Sequence, residues 1–214
     1  MIRKHTVAAG FTAVVLAATA TVAAAPGAQA APSPADRAGK TSLADVLAAD
    51  GQRFDKKWGD FDILDAAVMA VLDAKPKSAV AVLADGKVRL TAFLPNDRAF
   101  RKLARTLTGK APKTEKATFT ALAGAAGIDV IETVLLYHVV PGKTLNAAKV
   151  VQADGKKLTT AQGGKITVNV KGKKVVLVDA DPDVHNPRVI ATDINKGNRQ
   201  IGHAINRVLL PLDL

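Results

Sequence analysis

Cysteine is absent, which excludes a disulfide framework, a lipid-modified thiol, thiolate metal ligation and a Cys nucleophile together. Glutamate is almost absent. Only Glu115 and Glu132 occur, and both are expected in the first turns of helices, where a carboxylate meets the helix dipole favourably. Beyond residue 30 the only serines are Ser33, Ser42 and Ser78, none of them in a Gly-x-Ser-x-Gly elbow, so serine hydrolysis is not expected. The histidines there are His138, His185 and His203, without the spacing of a zinc motif. Aromatic residues make up 4% of the chain, too few for a base-stacking platform. The run Asp179-Ala180-Asp181-Pro182-Asp183 lacks the Gly and distal Glu of an EF-hand and reads as a solvated turn. Gly163-Gly164 lacks the Lys-Ser/Thr of a phosphate loop. No cofactor and no metal site are expected, and no internal repeat is visible.

The first thirty residues are of another kind. Arg3 and Lys4 precede an uncharged stretch from Val7 to Ala25, followed by Ala28-Gln29-Ala30, with small residues at the positions a signal peptidase requires. Residues 1–30 are therefore expected to be a cleaved secretory signal and 31–41 a disordered lead-in, with one domain over 42–214. No membrane span is expected after cleavage. The protein is expected outside the cytoplasm, released or loosely held at the cell wall.

Removing Arg3 and Lys4 from the 30 basic residues leaves 28 against 19 acids, a net charge of +9. The excess sits in two segments, 97–116 and 154–174, and the rest is about neutral. Export and the scarcity of rings argue against a nucleic-acid partner and for an anionic polymer or an extracellular protein. Arg98, Arg101, Lys102 and Arg105 fall on one side of an amphipathic helix, and Lys171, Lys173 and Lys174 crowd a hairpin tip. Both groups are expected to face water.

Helical spacing marks Ser42–Ala49, Asp62–Ala74, a helix from Pro95-Asn96-Asp97 to Gly109, then Thr118–Ala126 and Asp129–His138. The last is read with Asp129 and Glu132 as a capping box, and Val139–Gly142 as its break. Asp85-Gly86 predicts a hairpin between Ala79–Leu83 and Lys87–Leu94. Short strands are expected at Lys157–Thr160, Lys165–Val170, Lys174–Val178, Val189–Ile194 and Gln200–Leu210. Helices and antiparallel strands segregated along the chain indicate an α+β fold.

Three segments carry a resemblance. Thr91-Ala92-Phe93-Leu94-Pro95-Asn96-Asp97-Arg98-Ala99-Phe100 resembles the first signature box of fasciclin domains. Leu135-Leu136-Tyr137-His138-Val139-Val140-Pro141-Gly142 resembles their central Tyr-His element. Ala191-Thr192-Asp193-Ile194, followed by Asn198, Ile201, His203, Ile205, Arg207, Val208, Leu209 and Pro211, resembles their second box. The resemblance implies a wedge of two β-sheets with about seven strands and flanking helices, and a non-enzymatic role in extracellular adhesion. It also implies interaction residues at Tyr137, His138, Asp193 and Ile194. Read from the residues alone, Tyr137 and Ile194 are core positions and Asp193 caps the turn Asn195–Asn198. The alternative function is a secreted enzyme or small-ligand carrier whose site the fold assembles from His138, His203 and Asp193.

Overall fold

A computed structural model describes residues 39–51 and 54–211. The expected signal, and the lead-in up to residue 38, lie outside the described residues. The described chain runs through α1 (Leu43–Leu47), α2 (Asp62–Ala74), β1 (Leu90–Pro95), α3 (Asp97–Thr108), α4 (Glu115–Tyr137), β2 (Val139–Pro141) and α5 (Ala147–Val151). It then forms β3 (Lys157–Thr159), β4 (Lys165–Lys171), β5 (Lys174–Val178), β6 (Val189–Ile194) and β7 (Gln200–Ile205). This is an α+β architecture whose seven described strands form a four-stranded sheet, β2-β1-β7-β6, and a three-stranded sheet, β3-β4-β5.

β1 pairs in parallel with β7 and antiparallel with β2. Both β1 and β7 are buried along their whole length, as strands covered on two faces must be. Leu90, Ala92 and Leu94 of β1 turn to the helices and join Leu43, Ile63, Val68, Val71, Ala104 and Leu135. Phe93 turns the other way, to a second core of Tyr137, Val140, Ile166, Val168, Leu177, Ile205 and Leu209 between the sheets. Each such side chain, fully buried, contributes about 1.5–3 kcal/mol by removal from water.

Local chemistry sets the helix ends. Ser42 caps α1 in a complete capping box with Asp45. Asn96 accepts from Ala99 N–H at the start of α3, and Gly109 closes it with φ 73°. The two helices expected across residues 118–138 form one element, α4, kinked at Gly127 (φ 73°, ψ 168°). By length and composition α4 is apolar enough to cross a bilayer, yet its Leu122 and Leu135 pack into the helical core.

Three expectations are corrected. Ala79–Ala84 is a 3-10 helix capped by Ser78, not a hairpin strand. The carbonyls of Val82 and Asp85 accept from the buried Gln200 amide, whose oxygen accepts from Leu43 N–H, so this segment is tied to β7 by a side chain. Gly86 is there for a close approach, because a Cβ would lie 1.7 Å from the Lys40 carbonyl oxygen. Glu132 is not a cap partner of Asp129. Its carboxylate pairs with Lys75 at 2.6 Å and accepts from Ser78 Oγ, and Asp129 also pairs with Lys75. The last strand ends at Ile205 instead of Leu210, because Leu209 and Leu210 N–H bond to the side chains of His138 and Asp179. Val139–Pro141, expected only as a break, is a strand, and α5 was not foreseen.

Candidate functional site

The Tyr-His element ends α4 inside the protein. Tyr137 is 1% exposed and its hydroxyl donates to the Lys165 carbonyl at 2.8 Å, joining α4 to β4. Burial pushes its pKa up. His138 closes the helix. Its Nδ1 lies 2.6 Å from the Val134 carbonyl, and its Nε2 accepts from Leu209 N–H at 2.9 Å. That pair of partners fixes the neutral tautomer with the proton on Nδ1, and burial lowers the imidazole pKa to about 4.

The Asp-Ile pair lies across the sheet. Asp193 has φ 62° at an irregularity in the β6–β7 pairing, a conformation Asp tolerates better than most residues. Its Oδ1 accepts from Ala147 N–H at 2.7 Å, and Lys196 Nζ lies 3.6 Å from Oδ2. Its N–H donates to His203 Nδ1 at 3.4 Å, and His203 Nε2 lies 2.7 Å from the Leu145 carbonyl. His203 is fully buried, and burial lowers its pKa. Ile194 packs partly buried against the helical core. Each imidazole of the His138, His203 and Asp193 group thus has both ring nitrogens engaged by backbone.

These positions are continuous through the backbone. Phe93 N–H donates to the His138 carbonyl, and Phe93 pairs with His203 across β1 and β7. Their rings stand 6.0 Å apart. The first box, the Tyr-His element and the second box therefore meet on adjacent strands of one sheet.

A fasciclin-domain family profile matches residues 67–211, which hold all three segments. The chain belongs to the fasciclin-domain family. Among solved structures it is similar to a FAS1 domain pair from the insect cell adhesion molecule Fasciclin I. That match has 19% identity and a TM-score of 0.49, over 71% of this chain and 48% of that one, so the chain spans about half that structure's length. No curated protein matches the chain.

The basic residues of this fasciclin domain are not uniform. Arg98 and Arg105 are exposed as expected, but Arg101 and Lys102 are half-buried. The Arg101 guanidinium lies 4.6 Å over the Trp58 ring, and its Nε–H donates to the Pro112 carbonyl at 2.7 Å. Lys102 donates from Nζ to the Asn206 carbonyl at 3.0 Å. Its pKa is lowered by burial first, then by the charges of Arg207, Arg98 and Arg188. The residues that complete this group, Arg188 and Arg207, lie 90 and 109 positions from Arg98 and show no helical spacing with it. Lys171, Lys173 and Lys174 are exposed at the β4–β5 tip, where Gly172 has φ 59°.

The fold also assembles a group that composition did not foreshadow. Asp62, Asp97 and Glu115 are the first residues of α2, α3 and α4, and the segment from Asp55 to Asp60 wraps across all three helix starts. Asp97 accepts from Asp62 N–H and Ile63 N–H, and Asp62 accepts from Asp55 N–H. Glu115 Oε2 accepts from Lys56 N–H at 2.9 Å. Asp97 is fully buried, and its carboxyl is pushed up to about 9 by burial and then by its hydrogen bond with Asp60. Ligand oxygens of Asp55, Asp60 and Glu115 lie within 4.8 Å of one another, as do those of Asp60, Asp62 and Asp97. Only acid residues at successive helix starts hinted at this, and ordinary dipole compensation accounts for each of them singly.

The Asp179–Asp183 run is more than a solvated turn. Asp181 is buried and accepts from Asp183 and Val184 N–H, and burial raises Asp179 to about 6. Between α2, α3 and α4 lies an apolar cavity of about 60 Å³ lined by Ile63, Phe100, Leu103, Phe119 and Ile131, too small for a drug-sized ligand.

Proposed function

We propose that this fasciclin domain is an exported, non-enzymatic interaction module that binds an anionic polymer or an acidic protein surface outside the cytoplasm. Family membership supports an adhesion or interaction role. The observation that carries the choice of partner is a basic group gathered at Asn206: Lys102 Nζ donates to its carbonyl, Arg188 N–H donates to its Oδ1, and Arg207 lines the same shallow pocket as Lys102, with Arg98 on the helix beside it. Like charges held together without a bound anion repel, and a polyanion relieves them while releasing its counterions. The exposed lysines at 171, 173 and 174 add a second positive point.

Asp193 is the member of the Tyr-His and Asp-Ile group within reach of a partner. Its carboxylate is partly exposed beside Ile190, Ala191 and Thr192, which face solvent. Tyr137 and His138 are turned into the protein, and Ile194 is packed partly buried against the helical core.

Retention of the mature protein on isolated cell envelope, and on heparin as an acidic-polysaccharide probe, tests the proposal. Screening shortens from about 10 Å at 0.1 M salt to about 3 Å at 1 M, so retention is expected to fall steeply across that range. Arg98→Glu with Arg188→Glu is expected to weaken it more than Lys171→Glu with Lys173→Glu. Arg101 is unsuitable for charge reversal because of its seat on Trp58. Retention that ignores both salt and charge reversal would remove the basic group from the function and return attention to Asp193.

A further inference from the structure

Glu115 is 1% exposed, yet its Oε1 has no hydrogen-bond partner, and Asp60 Oδ1 is likewise buried without one. Buried polar atoms are almost always partnered, so each exception requires a physical reason. Both belong to the carboxylate group whose ligand oxygens, with one from Asp55, lie within 4.8 Å of one another. The fold holds them there firmly. Lys56 N–H fixes Glu115 Oε2, with Lys56 itself at φ 77°, and Asp60's own carbonyl accepts from Asp97 N–H. Lys57 Nζ pairs with Asp55 from the solvent side.

We propose that Asp55, Asp60 and Glu115 bind a divalent cation of the calcium class. The Asp62 carboxylate lies behind them, and Asp97 is held as a neutral carboxyl hydrogen-bonded to Asp60. The donor set is entirely oxygen, which selects a hard cation. Calcium–oxygen distances of about 2.3–2.6 Å allow ligand oxygens up to about 5 Å apart around one ion, and these three oxygens all lie within 4.8 Å of one another. Calcium tolerates carboxylates arriving from two separate segments at irregular angles, whereas magnesium demands a near-octahedral set and keeps its water. The cation turns the orphaned oxygens into ligands, and it pins the 55–60 segment onto the start of α4.

Trp58 is the only tryptophan and lies between Asp55 and Asp60 in sequence, so it serves as a built-in antenna for terbium. Terbium emission excited through Trp58 is expected to saturate at one ion per chain. Calcium is expected to reverse it, and magnesium to do so only at more than about tenfold higher concentration. Glu115→Gln and Asp60→Asn are each expected to weaken binding by about tenfold or more, as loss of even an outer-shell partner can. Calcium is expected to raise the melting temperature of the wild type and not of Glu115→Gln. Asp55 is exposed, so Asp55→Asn leaves the core intact and is also expected to weaken binding. The absence of saturable emission would overturn the site, as would wild-type affinity in Glu115→Gln, Asp60→Asn and Asp55→Asn. Loss of the signal in Asp183→Asn instead would place the ion in the other acidic run and overturn it equally.

Discussion

His138 and Glu115 stand at opposite ends of α4, and their surroundings differ in kind. Both are buried, at 4% and 1% exposure. At the C-terminal end the imidazole meets one partner per ring nitrogen, and its charge is suppressed. A helix C-terminus favours a cation by up to about 2 kcal/mol in partly buried geometries, but here burial wins and the ring is neutral at physiological pH. At the N-terminal end one carboxylate oxygen is left without a donor, among four other acids. A satisfied buried group specifies the fold, and an unsatisfied one points beyond the chain.

The largest effect that separates the two ends is expected at the satisfied one. His138→Ala leaves the Val134 carbonyl and Leu209 N–H without partners and opens a void, at about 1–3 kcal/mol for each buried group. A loss of about 3–4 kcal/mol in denaturant unfolding is expected, with the C-terminal segment from Val208 onward loosening first in hydrogen exchange. A loss below about 1 kcal/mol would show that His138 is not a fold determinant and revive its candidacy as a contact residue.

The same histidine makes a pH prediction. Its folded pKa is about 4 against an ordinary value of 6.5, so between those values the unfolded chain binds the proton and the folded chain does not. Stability from this group is full above pH 6.5, declines as pH falls and levels off below pH 4, for a total of about 3 kcal/mol. His203 acts in the same direction. Asp179 acts oppositely, since a carboxyl raised to about 6 lowers stability as pH rises from 3.8 to 6. Unfolding measured from pH 7 to pH 4 in Asp179→Asn and in Asp179→Asn with His138→Gln isolates the contribution of His138. Parallel curves would contradict a neutral buried His138.

Sequence pattern disclosed the elements whose signals are local and missed those that depend on a distant partner. Asn96, the stripe Phe100, Leu103, Ala104 and Leu107, and Gly109 predicted α3 because a cap, an apolar face and a left-handed stop are all short-range. Asp85-Gly86 misled because Gly86 answers to Lys40, far back in the chain, and because Gln200 captures the carbonyls of Val82 and Asp85. The candidate site divides the same way. Tyr137 and His138 were legible as the end of an apolar helix, but their buried partners Lys165 and Leu209 were not. The acidic group left only the faint sign of acids at successive helix starts, since its members come from three helix starts and one wrapping segment that only the fold brings together.

Asp193 lies between the two cases, being bonded and partly exposed. Asp193→Ala removes the acceptor for Ala147 N–H, worth about 1 kcal/mol, and places a Cβ residue without a local hydrogen bond at positive φ, for about 1–2 kcal/mol more. A loss of about 2 kcal/mol is expected. Asp193→Asn keeps an acceptor and tolerates φ 62°, so it is expected within about 0.5 kcal/mol of wild type, as surface changes usually are. Weakened envelope retention in Asp193→Asn at unchanged stability would assign its charge to the partner, and unchanged retention would assign the residue to the frame.

The smallest stability effect is expected at the unsatisfied end, provided the cation is removed. Asp60 contributes one buried oxygen without a donor and one contact to the Asp97 carboxyl, so its charge has little to lose inside the protein. Asp60→Asn retains an oxygen, introduces an N–H₂ that can donate to Asp97, and takes one negative charge from a crowded group. In chelator the variant is expected to match or exceed wild-type stability, within about 0.5 kcal/mol. In calcium the order reverses, because the wild type gains binding free energy that the variant lacks. A large loss in chelator would mean that the acidic group is itself a satisfied structural network. The contrast between the two ends of α4 would then be one of degree, not of kind.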